Sequence, residues 1–137
     1  SIIRDTSISY GKYLANSVAD CVGCHTNRDL KTGEFIGKPF AGGMLYEADA
    51  LSEGVAFISP NLTPHPTSGI MSEWGENAFV ARFRAGRVHK TSPMPWGSFS
   101  RMDDLDLKAL YRYLNSLEPV DNKIEKTVLL ANTKTTH

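Results

Sequence analysis

Two cysteines occur in the chain, with two residues between them and a histidine beside the second: Cys21-Val22-Gly23-Cys24-His25. Thiols at this spacing can each form a thioether to one of the two vinyl groups of a single porphyrin. The adjoining histidine then lies under the iron and offers an imidazole nitrogen as the proximal ligand. C-x-x-C-H is the attachment signature of haem c, here one covalent group on Cys21 and Cys24 with His25 on the metal. Other uses of paired cysteines need surroundings that this chain lacks. A redox C-x-x-C of the thioredoxin kind belongs between strand and helix in a βαβ pattern. Structural zinc needs two more close-spaced Cys or His ligands, and no other cysteine exists, while His65 and His89 stand far away and unpaired. With both thiols in the motif, no disulfide framework is left.

The iron needs a ligand on its other face, or keeps an open position. His65, His89, Met44, Met71, Met94 and Met102 are the candidates. Met94 sits between two prolines in Ser92-Pro93-Met94-Pro95-Trp96. Proline fixes φ and removes a donor, so the backbone there is stiff. A thioether is a weak ligand, and a pre-ordered loop lowers the entropy cost of holding it on a metal. Met94 is the expected distal ligand on this ground, with His89 the next choice; filling a core gap is the usual work of a Met. Met44 and Met71 have Gly-containing flanks, and Met102 falls at a helix start.

The elements that must position these residues are sparse. At 137 residues, the chain has the size of one ordinary domain. Its 15 basic and 15 acidic residues cancel, which points away from nucleic acid and from a strongly charged membrane surface. No run of eighteen apolar residues suggests a transmembrane segment. The chain starts Ser-Ile-Ile-Arg-Asp without Met or signal peptide, and reads as a mature or trimmed form. The haem motif implies a periplasmic or otherwise exported bacterial protein.

A first helix is expected from about Ile8 to Ala19, with Ser7 or Ser9 as N-cap and Ile8, Gly11, Leu14, Ala15 and Val18 on its apolar face. Thr26 to Ser72 is punctuated by Gly and Pro and reads as a long loop of the kind a wrapped cofactor permits, with one short extended piece over Gly54–Ser59. A second helix is expected over Ser72–Ala85, capped by Ser72 and stopped at Gly86. Arg87–Phe99 reads as loop. Ser100-Arg101-Met102-Asp103 resembles a capping box before a last helix that carries Leu107, Leu110, Leu114 and Leu117 and ends before Pro119. Residues 1–118 then form one monohaem domain, and 119–137 a surface-lying C-terminal extension with a loose end.

In this order of elements, residues 8–118 resemble the class I cytochrome c family. Shorter pieces are similar to the cytochrome subunits that serve membrane alcohol, gluconate and related sugar or aldehyde dehydrogenases. They are Gly11-Lys12-Tyr13-Leu14-Ala15, Ala41-Gly42-Gly43, Ser59-Pro60-Asn61-Leu62-Thr63-Pro64 and Thr67-Ser68-Gly69-Ile70. Further along come Trp74, Phe79, Arg84-Ala85-Gly86, Met94-Pro95-Trp96, Asp104-Leu105 and Leu110-Tyr111-Arg112-Tyr113-Leu114. Two features depart from that pattern: such subunits often carry three haem domains, and their spacer usually has Asp where His65 stands.

The resemblance implies an all-α class I cytochrome c fold, with three main helices and long loops wrapped around one covalent haem. It implies that Gly11 meets Leu110 or Tyr113 where first and last helices cross. It also implies a backbone carbonyl that accepts from His25, for which Pro39 is one candidate. Trp74, Arg82, Arg84, Tyr46 and Trp96 are candidates for the haem propionates, each with a core or solvated role as the default.

The expected function is electron transfer without bond chemistry, so the chain is not itself an enzyme. One electron would pass on a His/Met-ligated haem c, from a dehydrogenase-type donor to a high-potential acceptor, an oxidase or another cytochrome. The alternative is a haem-based gas- or peroxide-binding domain with an open or labile distal site; a third reading is a domain of a larger oxidoreductase complex. Arg82, Arg84, Arg87, His89 and Lys90 precede the Met loop, while Asp103, Asp104 and Asp106 follow it. This layout gives either a local field that steers an acidic partner or a set of propionate-binding and solvated charges.

Overall fold

Ser7 begins the first helix, its Oγ accepting the Tyr10 amide at 3.2 Å. Helix α1 (Ile8–Tyr13) runs on into a π-helical turn over Leu14–Val18, closed by the Ala19 amide on the Leu14 carbonyl at 2.8 Å. Such wide turns recur at functional sites, and this one leads straight into helix α2 (Cys21–His25), which holds the cysteine motif. Tyr10, Gly11, Leu14 and Ala15 are buried; Ile8 and Val18, expected on the same face, are exposed.

The computed structural model describes residues 3–49 and 52–129. Helix α3 (Glu76–Ala85) starts later than Ser72, because the Trp74 carbonyl is taken by the Tyr111 hydroxyl at 3.0 Å and Ser72–Trp74 form turns. It stops at Gly86, whose φ of 72° suits glycine. A short helix α4 (Trp96–Phe99) lies in the segment expected to be loop. Helix α5 (Asp104–Asn115) buries Leu107, Ala109, Leu110 and Leu114. The expected capping box does not form: Ser100 Oγ donates to the Gly97 carbonyl, and Asp103 pairs with Arg4.

Helices α1 and α5 cross at backbone distance. A Cβ on Gly11 would lie 2.0 Å from the Ala109 carbonyl oxygen and 2.8 Å from Tyr113 Cβ. Tyr113 was expected at this crossing; its other partner is Ala109 rather than Leu110. Phe79 and Phe83 of α3 pack on this pair and on one another, 4.7 Å between ring centroids.

The chain is mostly helical but not all-α. Strands β1 (Leu45–Tyr46), β2 (Ala56–Ile58) and β3 (Val128–Leu129) form an antiparallel sheet in the order β1-β2-β3. Only β2 falls in the piece expected to be extended. Two-residue strands are too short for alternation to register in sequence. Residues 119–129 return across the Pro60 loop and supply β3; residues 130–137 of the expected extension lie outside the described residues. Among the described residues, no helix is long and apolar enough to cross a membrane.

Candidate functional site

Helix α2 presents His25, 7% exposed, with both cysteines on the same turn and a half. The ring Nδ1–H donates to the Pro60 carbonyl at 2.9 Å, which leaves Nε2 with its lone pair. Pro60, not Pro39, supplies the acceptor. The residue after Pro39, Phe40, gives its amide to Thr26 Oγ1 at 3.0 Å and takes the Leu62 amide at 2.8 Å on its carbonyl. The segment around Phe40 therefore runs along the backbone of residues 25–26, and the Pro60 turn reaches the ring. Gly42 lies between the two: its amide donates to the His25 carbonyl at 2.7 Å, its φ is 74°, and a Cβ there would come within 2.5 Å of the Pro60 carbonyl. Only glycine allows this approach.

Cys21, Cys24, His25 and Met94 line one cavity of about 370 Å³. Leu62, Ile70, Met71, Phe79, Phe83 and Phe99 supply much of its apolar wall. Met94, from a segment seventy residues beyond the cysteine motif, is held on a pinned loop. The Trp96 amide donates to its carbonyl at 2.8 Å, Trp96 Nε1 donates to Ser92 Oγ at 3.2 Å, and Arg87 donates to the Ser92 carbonyl. Among the other distal candidates, His89 and Met71 also line the cavity, whereas Met44, Met102 and His65 do not. Tyr46, Trp74, Arg82 and Trp96 line it too; Arg84 instead bonds Asp104 at 2.5 Å and the Ser100 carbonyl at 2.8 Å.

Burial governs the charges here. It pushes the Cys21 thiol up to about 12. It holds His25 below the ordinary imidazole value, with the Pro60 hydrogen bond opposing. It raises the Tyr46 phenol, to which the neighbouring Cys24 adds, and it lowers Arg82. The Arg82 guanidinium lies 3.8 Å from the Trp96 ring centroid and donates to the Gly86 carbonyl at 2.8 Å. It has no carboxylate partner among the described residues.

The residues fit a porphyrin. The cavity volume falls within the roughly 300–1,000 Å³ of cofactor sites, its wall is apolar, two thiols and an imidazole share one helix, and a cation without a carboxylate faces in. No group of three His, Cys, Asp or Glu side chains is gathered as a metal site among the described residues, so a zinc site built from protein ligands alone has no donor set.

No family model matches the chain. It is 38% identical over 128 residues to the fructose dehydrogenase cytochrome subunit of Gluconobacter japonicus, a match that covers 90% of this chain and 24% of that relative. It is 33% identical over 122 residues to the gluconate 2-dehydrogenase cytochrome c subunit of Pantoea cypripedii, covering 85% and 25%. It is 31% identical over 119 residues to the cytochrome c subunit of the quinone alcohol dehydrogenase of Gluconobacter oxydans, covering 82% and 22%. The chain is related to dehydrogenase cytochrome c subunits. It spans about a quarter of the length of these relatives. The likeness read from short motifs thus extends over most of the chain, and the relatives are named as cytochrome subunits.

Two features of the site were not legible as such in the sequence. Ser59–Pro64 reads as a rigid turn, but nothing in it says that the Pro60 carbonyl meets His25. Thr127 and Val128 form part of the cavity wall through β3, a role no local signal carries.

Proposed function

We propose that this chain is a monohaem electron-transfer domain. Cys21 and Cys24 hold the porphyrin through thioethers, His25 is the proximal ligand and Met94 the distal one. The observation that carries the reading is that these four residues, from segments seventy positions apart, line a single apolar cavity. When bound, haem c supplies a one-electron ferrous/ferric couple whose potential a His/Met pair raises relative to bis-His.

The residues of the chain do the rest. The Pro60 carbonyl orients the His25 ring and raises its basicity. Pro93 and Pro95 stiffen the Met94 loop. Arg82 is the residue that would meet a porphyrin carboxylate. Two permanent ligands leave no position for a substrate, which suits a carrier and not a catalyst. The relatives' names make a dehydrogenase the expected donor; the acceptor is a high-potential oxidase or another cytochrome. Attachment of haem at C-x-x-C-H makes an exported, periplasmic site of action the expected one.

The test is to produce the chain together with a haem-ligation apparatus. Mass measurement should find one covalent haem per chain, lost in Cys21→Ala/Cys24→Ala. A redox titration should follow a single one-electron curve. Rapid binding of carbon monoxide by the ferrous form at an open position would favour the gas-binding alternative and sink the carrier reading.

A further inference from the structure

Residues Val120–Asn122 bear on His25 along two routes. The first runs through Asn61, whose side chain is 1% exposed and fully engaged. Its Nδ2 donates to the carbonyls of Val120 at 2.8 Å and Asn122 at 3.3 Å, and its Oδ1 accepts the Thr63 amide at 2.9 Å and hydroxyl at 2.8 Å. Asn61 directly follows Pro60, and the carbonyl of Pro60 is the acceptor for the His25 ring. That carbonyl belongs to the peptide plane it shares with Asn61, so turning it requires the buried amide's anchor to move.

The second route runs through Asn122. Its Nδ2 donates to the Ala41 carbonyl at 2.9 Å. The next residue, Gly42, donates its amide to the His25 carbonyl at 2.7 Å and packs its α-carbon against Pro60. The ring of His25 and its main chain are therefore each held by a loop that the same three residues hold in turn. Val120 closes the set, giving its amide to Thr63 Oγ1 at 3.1 Å. A buried amide is tolerated only when its hydrogen bonds are satisfied, and here they are satisfied by the returning C-terminal segment.

We infer that Asn61 and Asn122 are positioning residues of the haem site, and that Val120–Asn122 form a clamp setting the direction and strength of the His25 Nδ1–H bond to Pro60. The inference rests on His25 being the proximal ligand. A well-directed bond at Nδ1 makes the imidazole more basic and favours ferric iron. Releasing the clamp weakens that bond, lowers the iron–histidine stretching frequency and raises the potential.

Asn61→Ala, Asn122→Ala and, as a control, Lys123→Ala are each made in the full holo chain on a Met94→Ala background. Lys123 is exposed, and among the described residues its side chain pairs with Glu125, at 3.8 Å, and makes no hydrogen bond to the clamp. The iron–histidine stretch is read by resonance Raman on the five-coordinate ferrous state left by photolysis of bound carbon monoxide. Both Asn variants are expected to shift it down, and the control to leave it in place. A general loss of stability does not move this band in the molecules that stay folded. If Asn61→Ala fails to fold, the half-buried Asn122 decides alone. A wild-type frequency in Asn122→Ala, or in both variants, overturns the clamp while leaving the haem reading intact. Absence of any iron–histidine band in the Met94→Ala parent overturns the haem reading and the clamp with it.

Discussion

Met94 stands between two prolines on a loop held at three points by Trp96 and Arg87. In the proposed role as distal ligand, its thioether would need little further ordering, which would offset the weakness of that ligand. Met94→Ala should abolish the weak far-red charge-transfer band of ferric Met ligation. It should lower the potential on the order of 0.1–0.3 V, a fraction of the roughly 0.8 V that axial ligands span. His89 lines the same cavity, five residues earlier, with its Nδ1 accepting from the Thr91 amide at 3.4 Å. The same spectral loss in His89→Ala, with Met94→Ala unaffected, would reverse the assignment.

At the scale of elements, the contact between α1 and α5 positions the cysteine turn, because α1 leads through the π-helical turn into α2. Gly11 allows that crossing: a methyl group there would sit 2.0 Å from the backbone of Ala109, which has no side-chain freedom with which to yield. Gly11→Ala should cost about 1–3 kcal/mol, the usual range for overpacking, even though Ala is the better helix former. Gly75 is the contrast. It opens α3 at φ −92° with nothing within 4 Å of its would-be Cβ. Gly75 is the N-cap of that helix, where Ala is less favoured than Gly, so Gly75→Ala should cost about 0.5 kcal/mol or less, the open space and the stiffer unfolded chain offsetting part of the cap loss. Thermal melts of the two holo variants check the pair; equal melting temperatures would contradict the crossing as described.

For the whole molecule, the cavity is too large to leave unfilled. At about 24 cal/mol per Å³, a dry void of 370 Å³ would cost roughly 9 kcal/mol, an upper limit because the cavity opens to solvent. That is comparable with the whole stability of a typical domain, about 5–15 kcal/mol. Cys21→Ala/Cys24→Ala protein should therefore lack a cooperative melt and bind dyes specific for exposed apolar surface. A melt matching the holo chain would refute the claim.

Surface charge adds a second prediction at this scale. Of the basic group before the Met loop, Arg84 pairs with Asp104 at 2.5 Å and Lys90 with Glu53 at 3.1 Å. Arg82 is stacked on Trp96. Exposed Arg87 bonds only the Ser92 carbonyl, so it and Arg82 are the two cations of this group without a carboxylate partner among the described residues, too few for a focused basic patch. Reduction by a small anionic reagent should fall with added salt by about twofold or less, against the tenfold or more of a focused basic patch. A steep salt dependence, opposite in sign for a cationic reagent, would restore the steering model.

The sequence by itself determined the chemistry that depends on local spacing. C-x-x-C-H needs one helical turn, the proline-flanked Met needs only its neighbours, and Leu107, Leu110 and Leu114 of α5 need only helical period, so each could be read without a fold. Ser7 as cap and Gly86 as stop were legible for the same reason. The start of α3 was not, because Tyr111, distant in sequence, takes the Trp74 carbonyl. The capping box at Ser100 failed because Arg4, at the other end of the chain, claims Asp103. The sheet escaped because its strands are two or three residues long and are specified by pairing across seventy positions. Pro60 rather than Pro39 meets His25 because a carbonyl carries no side-chain signature, and its direction is set by Gly42 and Asn61 from either side. Local residue types thus nominate the ligands proposed here, while long-range hydrogen bonds decide how His25 is held.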